Sequence, residues 1–160
     1  MTARPNETAQ PQECLEALLQ REYLYALFAK AFGGEPTEEL LRLLVSSTTT
    51  DTFVAYEEAS DVMGKCRTYL LERLGADFGS DASAAAELLD GCRSEYVRVF
   101  YGFPLGASSP SESFYCSGDQ SLLSDVTLAV RDFYRRFGML PARYPRTPDD
   151  TAALEFGFMA

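Results

Sequence analysis

The chain has 160 residues, a one-domain length that can bury a hydrophobic core, and its 46% hydrophobic and 12% aromatic content excludes a disordered polymer. Fourteen Lys and Arg against 24 Asp and Glu give a net charge of −10, which repels nucleic-acid phosphates and anionic lipid and favours basic partners. Histidine is absent, which excludes Ser-His-Asp and Cys-His catalysis, HExxH metal sites and any imidazole acid–base step.

Residues 1–11 are polar and punctuated by proline, and are expected to be flexible ahead of a domain over 12–160. "MTARPNETAQPQE" carries no apolar h-region, so no signal peptide is expected, and no apolar run approaches a membrane span. From Glu13 the pattern turns helical, with Leu15, Leu18, Leu19, Tyr23, Ala26 and Leu27 on one face. Gly33-Gly34 should stop this helix. "EPTEELLRLL" then opens a short one, with Thr37 as N-cap and Glu38 and Glu39 in its first turn.

"SSTTTD" at 46–51 reads as a polar loop, followed by a helix from Phe53 to Leu74 that ends at Gly75. Asp81 or Ser83 can cap the next helix, which runs through Leu88, Cys92, Tyr96 and Phe100. A long loop over 102–118 contains "SPSESFY", where a carboxylate and two aromatics stand in a connection. A helix over about 120–137 should stop at Gly138, and three prolines in "LPARYPRTP" keep that segment out of helix. The last helix should start with Thr147 as cap, Pro148 in the first position, and Asp149 and Asp150 facing the dipole. Strand alternation is nowhere convincing. The expected fold is an all-α, single-domain bundle of five or six helices.

Cys14, Cys66, Cys92 and Cys116 stand far apart without a CxxC pair, which argues against a zinc or thioredoxin-type centre. Reduced, mostly buried thiols in a cytoplasmic protein are expected. The two lysines, Lys30 and Lys65, sit in no phosphate loop. With catalysis left to carboxylates or a lone thiolate, a non-catalytic role is expected, with no cofactor and no metal.

Three segments carry a resemblance: "SEYVRVFYG", "SPSESFY" with "LAVRDFYRRFGM" after it, and "TPDDTAALEFGFM". Together they resemble the TorD/DmsD family, kin of the NarJ chaperones, which are all-helical cytoplasmic maturation chaperones of molybdopterin enzymes in the dimethyl sulfoxide reductase group. The resemblance runs from about Glu95 to the end. It implies client-binding roles for Tyr96 and Phe100 at a helix end, and for Pro110, Glu112, Ser113 and Tyr115 in the loop. It implies the same for Pro148, Asp149 and Asp150, with Thr151 where the family usually has histidine. Ser111 stands where an aromatic is common.

The implied ligand is the twin-arginine leader of an apo-molybdoenzyme, held together with the enzyme's folded core until cofactor insertion and export. Adjacent arginines call for carboxylates, and the apolar stretch after them calls for a groove. Structural roles compete at each position. Asp149 and Asp150 can simply cap a helix, Tyr96, Phe100 and Tyr115 can be core, and Glu112 can pin its loop to a helix N-terminus or to Arg98 or Arg131. Two other functions stay open: a NarJ-like chaperone whose client lacks a leader, and a small hydrolase with a metal held by Asp149, Asp150 and Glu155.

The chain ends on Leu154, Phe156, Phe158 and Met159 without a cap, which reads as an interrupted helix with further family helices missing. These side chains should find apolar cover, and exchange of the terminal segment between two copies, giving a homodimer, is one expected way.

Overall fold

The computed structural model describes residues 11–57, 60–75, 82–101, 108–116, 124–141 and 148–160. Among them are eight helices and no strand. In chain order these are α1 (Pro11–Phe32), α2 (Glu38–Leu44), α3 (Ser47–Glu57) and α4 (Asp61–Tyr69, continuing as a π-helical turn Leu70–Leu74). Then come α5 (Ala82–Tyr101), α6 (Glu112–Cys116), α7 (Asp125–Arg136) and α8 (Ala152–Met159). The all-α expectation is met, with two helices more than the upper count. The expected caps Asp81 and Thr147, and most of residues 1–11, lie outside the described residues.

Local stop and start signals act as their chemistry dictates. α1 ends at Gly33, where a Cβ would sit 2.7 Å from the Ala29 carbonyl oxygen, so only glycine fits. Thr37 Oγ1 accepts the Leu40 N–H at 3.2 Å and caps α2. α7 ends on Gly138, whose φ of 71° lies in the left-handed region.

The polar stretch 46–51 is not a loop. It forms the first turns of α3, because its hydroxyls bond back along the chain: Thr50 to the Ser46 carbonyl and Thr52 to the Thr48 carbonyl at 2.7 Å. Thr49 is fully buried, donates to the Leu43 carbonyl at 2.6 Å and therefore accepts from the Tyr23 hydroxyl at 2.6 Å. The single helix expected over 53–74 is in fact two. Ser60-Asp61 restarts the chain as an extended residue followed by a first-turn acid, and α4 folds back against α3. The loop expected over 102–118 includes one helical turn, α6, while 102–107 and 117–118 lie outside the described residues. α7 starts at Asp125 after an extended Ser124 rather than near 120. The final helix starts at Ala152, so Pro148, Asp149 and Asp150 precede it instead of forming its first turn.

Leu24, Leu27, Leu40 and Phe53 form the core, with Phe28, Tyr56, Met63 and Leu70 around them. This face of α1 is rotated from the expected one, and Leu15, Leu18 and Leu19 are exposed. The thiols also depart from expectation: Cys14, Cys66 and Cys116 are exposed and only Cys92 is half-buried.

A second, aromatic layer seats α8. Phe156 packs among Tyr25, Phe28 and Phe32 of α1, with centroids 5.4–6.2 Å away. Phe158 packs on Phe133, Tyr134 and Phe137 of α7 at 4.9–5.5 Å. The terminal aromatics thus find their cover within their own chain. α5 joins the same layer. Tyr96 donates to the Phe32 carbonyl at 3.1 Å, satisfying an oxygen left free where α1 ends, and Arg93 donates to the Pro36 carbonyl at 3.1 Å just before α2.

Candidate functional site

Residues 110–113 and 149–152 lie side by side, although nearly forty positions separate them. Ser111 and Thr151 form an isolated antiparallel bridge. The Ala152 N–H donates to the Pro110 carbonyl at 2.7 Å, and the Glu112 N–H donates to the Asp150 carbonyl at 2.8 Å. Asp150 Oδ2 accepts the Ser113 N–H at 2.7 Å. Each strand of this junction therefore caps the helix that follows the other. Asp150 takes the first two N–H groups of α6, and Pro110 takes the first of α8. Asp150 does cap a helix, but a different one from the helix it precedes.

Asp149 performs a second tie. Its Oδ2 accepts from Arg131 Nε at 2.8 Å and Nη2 at 2.6 Å, which fastens α7 to the start of α8. Asp149 and Asp150 are both 0% exposed, so neither offers its carboxylate to a partner at the surface. Glu112 is not the loop's anchor: Arg131 is held by Asp149, and Arg98 pairs with Glu95 at 2.6 Å on the surface. The opposite assignment, with Asp150 recognising client, predicts little effect on stability. The geometry predicts that Asp150→Ala, by orphaning the buried Ser113 N–H, costs about 1–3 kcal/mol in urea unfolding. Retention of full stability would remove Asp150 from this role.

The other expected residues divide cleanly. Tyr96 is buried, and Phe100 packs tilted against it at 4.7 Å and edge-on against Phe32 at 5.9 Å, so both belong to the aromatic layer. Ser113 is buried beneath the junction. Tyr115 is exposed, and its hydroxyl both donates to the Ser109 carbonyl and accepts the Ser109 N–H, each at 3.0 Å. Thr151 is the extended residue before α8, and its side chain makes no capping hydrogen bond. Pro148 is half-buried in the turn before Asp149. Among the described residues no group of three or more His, Cys, Asp or Glu converges as a metal site, so the trio Asp149, Asp150 and Glu155 is not one.

The carboxylates that line surface depressions here are Glu112 and a residue that sequence reasoning did not place in the client site, Glu155. These two carboxylates stand between two depressions. One, of about 260 Å³, is bounded by Phe32, Phe100, Pro110, Tyr115 and Ala152. The other, a groove of about 500 Å³, runs between α7 and α8 along Val126, Val130, Phe133, Tyr134, Phe158 and Met159. The groove is thus apolar along its walls and acidic at one end. Glu155, Phe158 and Met159 follow at i, i+3 and i+4, so a carboxylate heading an apolar stripe was the available signal.

Like charges crowd this end of the groove. Burial, then repulsion from Glu112 and Asp150, holds the Glu155 carboxyl above its ordinary value of 4.5. Burial, then the carboxylates of Glu155, Asp149, Asp150 and Glu112, push the Tyr134 phenol far up. Glu155 Oε1, Asp150 Oδ1 and the Tyr134 hydroxyl are buried without a hydrogen-bond partner, and Tyr134 is only 5% exposed. Such atoms suit a cationic group that donates several N–H bonds at once.

A comparison with protein families matches residues 56–160, roughly two thirds of the chain, to the nitrate reductase delta subunit family. The chain belongs to this family. Nitrate reductase delta subunit proteins are molybdoenzyme maturation chaperones, kin of the TorD group that the three sequence segments resemble. No curated protein and no solved structure matches. The delta subunit match takes in α4 to α8 and therefore the whole junction and groove, but only the last two residues of α3. Among the described residues no helix is long and apolar enough to cross a membrane.

Proposed function

We propose that the protein is a cytoplasmic assembly chaperone that binds the twin-arginine leader of an apo-molybdoenzyme of the dimethyl sulfoxide reductase group in the groove between α7 and α8. Glu112 and Glu155 receive the arginine guanidinium groups, and the apolar stretch of the leader lies along Val130, Phe133 and Phe158. Holding the leader delays export until the cofactor is in place, and requires no covalent chemistry. The observation that carries this reading is the acidic end of an apolar groove, with buried acceptors at Glu155 and Tyr134 that lack donors.

Calorimetry with a synthetic twin-arginine peptide tests it. Binding should weaken with added salt, because the guanidinium contacts are partly exposed. A twin-lysine peptide should bind more weakly, since an ammonium cannot bridge two carboxylates with a planar fork. The pH dependence has a fixed sign. Glu155 holds its proton more tightly than usual in the free protein, and a bound guanidinium favours the charged form, so binding releases a proton. Affinity should therefore fall as the pH drops below the raised Glu155 value, by up to about tenfold per unit. Glu155→Gln should bind more weakly at neutral pH and lose this slope. A pH profile unchanged in Glu155→Gln would remove Glu155 from the site.

The nitrate reductase delta subunit match favours a second reading, an assembly chaperone whose client has no export leader. Equal affinity for peptides with one arginine or two would select it.

A further inference from the structure

We propose that the two arginines of the leader are read at two inequivalent places, the second by Glu155 at the head of the groove and the first by stacking on Tyr115 in the cleft behind it. This rests on the proposed function and adds the order in which the basic residues are recognised. It also names the residue that tells arginine from lysine at the first of them.

Two depressions meet at one pair of carboxylates. Glu112 and Glu155 line both the groove between α7 and α8 and the smaller cleft of about 260 Å³. A single stripe of α8 joins the two, because Ala152 bounds the cleft, Glu155 bounds both and Phe158 bounds the groove, at successive steps of three residues. The cleft is walled by Phe32 of α1, Phe100 of α5 and Tyr115 of α6. Its volume lies below the roughly 300 Å³ at which sites for drug-sized ligands begin, and suits one side chain.

Tyr115 gives this cleft its chemistry. The ring is 65% exposed, yet it is held at its far end by two hydrogen bonds of 3.0 Å between its hydroxyl and the Ser109 backbone. Phe114 meets it edge-on at 5.1 Å. An exposed aromatic face fixed in this way is a platform that loses little freedom when a ligand lies on it. Glu112 stands three residues earlier, on the same side of α6, and places a negative charge beside the ring. A guanidinium is planar and weakly hydrated and stacks on such a face, whereas an ammonium keeps its water.

The order of the arginines follows from the chain of the ligand. Neighbouring side chains point about 100° apart in a helix and about 180° apart in a strand, so adjacent arginines do not enter one cleft side by side. With the apolar run lying along Val130, Phe133 and Phe158, the arginine next to it reaches Glu155, whose buried Oε1 lacks a donor. The arginine before that one lies beyond the carboxylates, in the aromatic cleft.

Calorimetry tests this with peptides that share one apolar run and differ in the basic pair: Arg-Arg, Lys-Arg or Arg-Lys. With the wild type each lysine should cost roughly fivefold in affinity. Tyr115→Leu, a change on an exposed ring, should bind Arg-Arg no more tightly than Lys-Arg and still prefer Arg-Arg to Arg-Lys. Glu155→Gln should do the reverse. The chain has no tryptophan, so Tyr115→Trp keeps the platform and adds a single reporter. Its emission should move to shorter wavelength with Arg-Arg and stay in place with Ala-Arg, at concentrations where calorimetry shows both bound. Binding of Arg-Arg with the wild-type affinity ratios in Tyr115→Leu, or with unchanged emission from Tyr115→Trp, overturns the inference and leaves the groove reading intact. Absence of binding by every peptide overturns both.

Discussion

Arg131→Ala should lower unfolding free energy by about 3–5 kcal/mol, more than any surface charge in this chain could. Asp149 is fully buried, and the Arg131 side chain is 15% exposed, so removing the guanidinium strands a carboxylate away from water without its cation. The exposed ion pairs Lys30–Glu39 and Arg42–Glu38 offer a direct contrast. Their removal should fall within about 1 kcal/mol, because water solvates whichever partner remains. Urea unfolding followed by circular dichroism measures both. The double variant Arg131→Met with Asp149→Leu should recover most of the loss, since apolar side chains of similar volume often replace a buried pair without cost. If Arg131→Ala and an exposed-pair variant behave alike, the tie between α7 and α8 is not held by this bond.

The parts of this fold that were legible in the sequence are those decided within one helical turn. Thr37 needs only the Leu40 N–H three residues on, Gly33 only room beside the Ala29 carbonyl oxygen four residues back, and Gly138 only its own backbone angle, so local grammar suffices for them. The 46–51 error has a local cause of a subtler kind. A run of Ser and Thr favours turns when its hydroxyls compete with the backbone, but here they bond to carbonyls four residues back and leave the helix intact. The rotated face of α1 could not be read locally, because α1 buries two faces against different neighbours. Leu24 and Leu27 meet α2 and α3, while Tyr25 and Phe32 meet α8.

The site was legible as a neighbourhood and not as roles. The resemblance brought 110–115 and 148–151 together as one functional unit, and they are in contact. What each residue does depends on partners far along the chain, such as Asp150 with Ser113 and Asp149 with Arg131. No spacing rule states that a carboxylate will turn inward to cap the helix of another segment. The acids that looked like recognition groups are thereby consumed in positioning. Glu112, for which the resemblance implied client binding and an anchoring role competed, lines the groove beside Glu155.

Phe156→Ala should cost about 3 kcal/mol and should weaken peptide binding at the same time. Phe156 is the side chain through which α8 is seated on α1, with Phe28 at 5.4 Å, Phe32 at 5.7 Å and Tyr25 at 6.2 Å around it. Its truncation leaves a ring-sized gap between two helices whose close approach is already set by Gly33 and Gly157. α8 also carries Glu155, Phe158 and Met159 along one wall of the groove, so a loosened α8 blurs the distance between the two carboxylates. Phe156→Leu keeps most of the apolar volume and should cost less than half as much. Met159→Ala, on an exposed side chain, should cost far less than Phe156→Ala. Urea midpoints for the three variants, with peptide affinity measured on each, separate seating from contact. Should Phe156→Ala unfold at the wild-type midpoint and still bind peptide normally, α8 would be held by Asp149 and the junction alone, and the aromatic layer would be incidental to the site.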